Sequence, residues 1–151
     1  MLKSIKLVLK EGTTFDLYFS NGVVKRYDIL FLDDKFTQLN ALKDRNLFLK
    51  GKLLGWSGVY WNDDLDVECD TVFQEGEDVS SEYDDIENVT LGYKIKELRL
   101  NAGLSQVKLS EITGIDQSDL SKIEKGLANP SVKQLSRILS VFDQKLTIQS
   151  K

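Results

Sequence analysis

The 151-residue chain has no histidine and a single cysteine, Cys69. Without histidine there is no imidazole acid–base catalysis and no Cys/His zinc site. A lone cysteine cannot build a disulfide framework. Cys69 has no base near it in the sequence and reads as a buried structural thiol. No run of 18 apolar residues occurs, so nothing reads as a membrane-spanning helix. The opening Met1-Leu2-Lys3-Ser4-Ile5 has strand character rather than that of a signal peptide, so a cytoplasmic location is expected. A glycine-rich phosphate loop is also missing, which leaves only a carboxylate mechanism to an enzyme. The chain is therefore expected not to be an enzyme, and to use no cofactor and no metal.

What is present is divided unevenly. Residues 1–90 carry 10 Lys and Arg against 18 Asp and Glu, a net −8, whereas residues 91–151 carry 10 against 6, a net +4. A basic C-terminal part suits a polyanion, and the acidic remainder argues against nucleic acid running over the whole surface.

Alternating apolar residues mark the N-terminal strands: Ile5, Leu7, Leu9, then Phe15, Leu17, Phe19, then Tyr27 and Ile29. Asn21-Gly22 is a two-residue hairpin signal and Glu11-Gly12 a second turn. A short helix is expected around Leu39–Leu42. Strand character returns between Lys52 and Val67, with Trp56, Tyr60 and Trp61 as core or interface. Asp63, Asp64, Asp66 and Asp70 offer oxygen ligands, the last three on one strand face. They lack an EF-hand's central glycine and closing glutamate, and read as a solvated turn and strand face. Residues 1–74 thus read as a small, mostly antiparallel α+β domain. From Glu75 to Glu87 there are seven acidic residues, no Lys or Arg and little apolar content. Residues 75–90 are expected to be an acidic linker, either a solvated spacer or a mimic of DNA phosphate.

After Thr90 the apolar period becomes helical. A first helix is expected from Leu91 to Asn101. A second starts behind the N-cap Ser105 and stops at Gly114, and a third runs from the N-cap Asp116 to Gly126. A fourth follows Pro130-Ser131, and Leu146–Gln149 reads as a short strand. Only Gly114-Ile115 separates the second helix from the next cap. So tight a turn sets two helices at a steep angle and projects the polar start of the third outward, where it can enter a major groove.

Leu98-Arg99-Leu100-Asn101-Ala102-Gly103-Leu104-Ser105-Gln106-Val107-Lys108-Leu109-Ser110 resembles the opening of the Cro and lambda-repressor class, the Xre family. Gly114 to Gly126 and then Asn129-Pro130-Ser131 resemble its recognition segment. Ser110 departs from the alanine usual there. The chain shows no internal repeat. The resemblance implies a lambda-repressor-like all-α domain over 91–151. It implies base reading by Gln117, Ser118 and Lys122, with Ser121 a further candidate on the same face. Gln117 would pair with adenine and Lys122 would reach guanine. Gln106 matches a family position that contacts phosphate, and Lys108, Lys125 and Asn129 are further phosphate candidates. Arg99 and Glu124 match a structural ion pair, although Arg99 can also lean towards DNA. Leu146–Gln149 resembles the C-terminal strand of HipB-like antitoxins, which pairs across a dimer; an intramolecular edge strand or a frayed tail is the alternative.

The stretch from Trp56 to Glu75 resembles an uncharacterised family of small bacterial α+β domains, some encoded beside suspected toxins. The expected function is a sequence-specific DNA-binding regulator. It would act as a repressor and bind double-stranded DNA as a homodimer on a near-palindromic operator, with no membrane partner. The alternative is an antitoxin that neutralises a toxin through residues 1–74 and autorepresses its operon.

Overall fold

The structure, a computed structural model, describes residues 2–150. The chain divides into two compact units, residues 1–86 and 87–151. It is an α+β protein: antiparallel sheets come first, and helices follow.

In the first unit β1 (Ser4–Leu9), β2 (Thr14–Phe19) and β3 (Val24–Asp28) form an antiparallel meander. Its turns fall at the expected Gly12 and Gly22. Phe15, Leu17 and Phe19 point into the core, as their alternation requires. A 3-10 segment, Thr37–Lys43, buries Leu39 and Leu42 where a short helix was expected, and α1 (Arg45–Phe48) follows. A second antiparallel sheet holds β4 (Lys52–Leu53), β5 (Gly58–Asn62) and β6 (Leu65–Glu68). Trp61 is buried, donates its indole N–H to the Phe48 carbonyl at 2.8 Å and meets Phe15 edge-on at 6.1 Å. Burying the ring with its one polar atom satisfied makes it the hinge pin of this core.

Cys69 is buried and opens α2 (Cys69–Glu75), a helix the sequence did not announce. Seven residues are too few to display a period. The strand face expected to carry Asp64, Asp66 and Asp70 therefore does not form: Asp64 lies in the turn before β6, Asp66 is on β6, and Asp70 sits in the first turn of α2. Desolvation pushes the Cys69 thiol pKa up, with the Asp70 charge adding to it.

The acidic linker expected over 75–90 is corrected by the structure. Glu77–Asp78 is β7, which pairs with β3 and completes the order β1-β2-β3-β7. Ser80–Glu82 is a 3-10 turn whose Ser80 hydroxyl accepts the Val24 N–H at 2.9 Å. Tyr83 lies edge-on to Tyr18 at 5.0 Å and donates to Asp16. Asp85 accepts from the Tyr18 hydroxyl at 2.6 Å and from Lys6 at 2.9 Å. The segment is a strap over the second face of β2, held by these polar bonds together with buried Val79 and the Tyr83–Tyr18 ring contact. That face carries Asp16 and Tyr18, both buried.

The second unit is helical: α3 (Ile86–Asn101), whose first residue is the last of the first unit, then α4 (Gln106–Thr113), α5 (Gln117–Glu124) and α6 (Val132–Val141). α3 starts five residues before the expected Leu91. Ile95, Leu109, Ile115, Leu120, Ile123, Leu135 and Ile138 form one buried cluster. α3 crosses α5 so closely that a Cβ on Gly92 would stand 2.3 Å from the Ile123 carbonyl oxygen, so only glycine fits. Ser131 and Gln134 make a complete capping box on α6.

The expected strand at Leu146–Gln149 is not formed: no strand among the described residues includes it, and Ile148 is fully exposed. A strand exists only beside a partner, and the single chain supplies none.

Candidate nucleic-acid interface

The bend between α4 and α5 is built by local chemistry. Ser105 caps α4 by accepting the Lys108 N–H at 3.0 Å. Gly114 ends it at φ 73°, ψ 10°, a left-handed conformation that a side chain would strain. The chain then buries Ile115 and re-enters a helix at Gln117. Ser110 adds a brace that sequence reasoning missed, donating its hydroxyl to the Ile115 carbonyl at 2.6 Å. The serine in place of alanine thus ties α4 to the turn. Asp116 holds the N-cap position of α5, but among the described residues its side chain makes no capping bond. Its backbone carbonyl accepts from Asp119 and Leu120 instead.

α5 is strongly two-faced. Leu120, Ile123 and Glu124 are buried, spaced for one face. Gln117, Ser118 and Lys122 are exposed, with Ser121 half-buried beside them. Ser118 and Lys122 are four residues apart and share a stripe, as do Gln117 and Ser121. The helix ends on paired bonds, Gly126 N–H to Ile123 carbonyl and Leu127 N–H to Lys122 carbonyl at 3.0 and 2.8 Å. Lys125 and Asn129 are exposed at and beyond that end, about 12 Å of helix from Gln117. Lys108 is exposed on α4, with its ammonium 3.6 Å from Glu111.

Under this surface lies a buried ion pair. Arg99 of α3 donates to the two carboxylate oxygens of Glu124 at 2.7 and 2.9 Å and to the Leu104 carbonyl at 2.8 Å. The bond from Glu124 raises the Arg99 pKa, outweighing desolvation. Gln106, at the start of α4, donates to the same carboxylate at 3.1 Å and accepts from the Gln117 side chain at 3.2 Å. The structure thus joins four of the residues singled out in the sequence into one chain of bonds, Arg99 to Glu124 to Gln106 to Gln117. It does not bring Lys108, Lys125 or Asn129 into that chain. Glu124 as a partner of Gln106 was missed, because nothing in the sequence marks a contact 18 positions away.

Residues 95–148 match a family model described as helix-turn-helix. The chain is 40% identical over 53 residues to the uncharacterized HTH-type transcriptional regulator YgzD of Bacillus subtilis (strain 168), covering 35% of this chain and 80% of YgzD. It is 31% identical over 61 residues to the HTH-type transcriptional regulator PuuR of Escherichia coli (strain K12). That match covers 40% of this chain and 33% of PuuR, so the chain spans about a third of that relative. Among solved structures, the restriction-modification controller protein C.AhdI from Aeromonas hydrophila is similar, at 30% identity and a TM-score of 0.38. The match covers 39% of this chain and 89% of C.AhdI.

Proposed function

Because the chain belongs to the helix-turn-helix family of transcriptional regulators, we propose that it is a sequence-specific repressor that lays α5 in the DNA major groove. Gln117, Ser118, Ser121 and Lys122 then read base edges. Gln106, Lys108, Lys125 and Asn129 sit against phosphates, with the α4 N-terminus adding its N–H groups. The observation that carries this reading is the Gly114 bend, which leaves the first turn of α5 exposed while its opposite face anchors the core. We also propose a homodimer on a near-palindromic operator. Ile112, Leu127 and Val132 are large apolar side chains left exposed, and Leu146 and Ile148 are exposed in a segment that joins no strand among the described residues. Two half-sites would then lie one helical turn apart.

Residues 1–86 would serve as the regulatory or protein-binding part. Exposed Phe31, Phe36, Leu49 and Leu54 support that role. The test is selection of bound duplexes from a randomised pool by the full chain, followed by titration across salt. A dimer neutralising ~6 phosphates gives a log–log salt slope of about −5. Selection without enrichment, at low ionic strength, overturns the reading.

A further inference from the structure

We propose that Glu124 is a positioning residue for base reading: through Gln106 it fixes the direction of the Gln117 amide and so commits that side chain to adenine over guanine. This rests on the reading of Gln117 as a base contact.

The inference follows from hydrogen-bond polarity along the chain. A glutamine amide exchanges its oxygen and nitrogen by a half-turn, so it takes its direction from its neighbours. Two members of this chain cannot turn: a guanidinium only donates and a carboxylate only accepts. Glu124 is buried, and Arg99 grips both of its oxygens. Gln106 must therefore offer its NH2 group to Glu124, as it does at 3.1 Å. Its carbonyl oxygen is then left facing Gln117, which must donate to it, as it does at 3.2 Å. One N–H of Gln117 is thereby committed. What remains is one N–H beside one carbonyl oxygen.

That remaining pair matches one purine. Adenine shows an acceptor at N7 and a donor at N6 in the major groove, whereas guanine shows acceptors at both N7 and O6. Reading guanine in two bonds would take both hydrogens of the NH2 group. Were the Gln106 amide reversed, Gln117 would accept from it and keep both hydrogens, and guanine would be favoured. The buried ion pair is thus the fixed end of a polarity that reaches the surface at Gln117.

The test uses the full chain and compares duplexes that differ at single base pairs, with melting curves run beside them. Wild type should prefer adenine over guanine at one position per half-site by about tenfold or more, the range of a bidentate contact. Gln106→Lys keeps a partner for Glu124 but can only donate, so it should invert that preference towards guanine. Glu124→Gln leaves Arg99 an acceptor while freeing the direction of Gln106. If it melts as a folded protein, its preference should shrink to within about threefold. A merely structural ion pair would lower stability and leave the ratio alone. No inversion in Gln106→Lys, or a wild-type ratio in folded Glu124→Gln, overturns the proposal. Gln117→Ala separates the two levels. If it removes the preference while the other variants do not move it, polarity control fails alone. If it changes no base preference, the reading of Gln117 itself is wrong.

Discussion

Each unit buries one carboxylate in the grip of an arginine, and the two pairs differ in where the remaining bonds lead. In the first unit Arg26 holds both oxygens of Asp16 at 2.9 Å, Tyr83 donates to the same carboxylate, and Arg26 also pairs with Glu82 at 2.9 Å. Every partner belongs to the sheet or the strap, so the network closes on the fold. In the second unit the bonds run outward from Arg99 and Glu124 through Gln106 to exposed Gln117. The same bidentate motif fastens a strap in one unit and supports a surface in the other. Burial of charge does not distinguish the two. The destination of the leftover lone pair does.

The largest effect that separates them should come from Arg99→Ala. It strands a buried glutamate, at a cost of about 3–5 kcal/mol. The helical unit should lose its thermal transition, while the near-ultraviolet signal of Trp56 and Trp61 in the first unit persists. A folded Arg99→Ala protein that merely binds DNA less well would return Arg99 to a contact role. Gly92→Ala comes next. Alanine gains about 1 kcal/mol in helix propensity, but its methyl group would press on the Ile123 carbonyl, where overpacking costs about 1–3 kcal/mol or more. A lower melting temperature is expected, and a rise would contradict the close crossing of α3 and α5.

Tyr83→Phe is expected to be smaller and confined to the first unit. It removes one donor from buried Asp16 and should cost about 1–3 kcal/mol there, with DNA affinity unchanged. A loss of DNA affinity would show that the strap network does not end at the fold. The mildest probe is alkaline pH. Burial, then the bond to Asp16, pushes the Tyr83 pKa up to about 12. Burial raises Tyr18 and Tyr27 as well, helped by Asp85 and Glu75. An unfolded tyrosine ionises at about 10. The folded state therefore holds these protons longer, and the stability they contribute is whole below about pH 10. It drains away as pH climbs through the folded values. A melting temperature for residues 1–86 that stays flat between about pH 10 and 12 would contradict this.

The helical unit was the more legible because its signals are local. Ser105, Gly114 and Ser131 each find their partners within five residues, so sequence alone placed the caps and the bend. The exposed stripe of α5 followed from its period. The strap was misread because its partners lie far off: Tyr83 and Asp16 are 67 positions apart, and a segment poor in apolar residues gives no hint of a buried polar face awaiting it. α2 is too short to show a period, and Leu146–Gln149 has strand composition but joins no strand among the described residues. Within the site, residue types were readable and connectivity was not. Arg99 and Glu124 were paired by resemblance, while the bonds that run from Glu124 through Gln106 to Gln117 needed coordinates.

The central claim is that the exposed turn of α5 reads bases, and one comparison tests it most directly. Duplexes selected by the wild-type chain are titrated against wild type and against the Gln117→Ala, Lys122→Ala double variant, beside an unrelated duplex of equal length. Both substituted residues are exposed, so the variant should melt like wild type. It should bind the two duplexes with nearly equal affinity, where wild type separates them by a thousandfold or more, about the lower end of specific recognition. A folded double variant that still prefers the selected sequence as strongly as wild type would contradict the account.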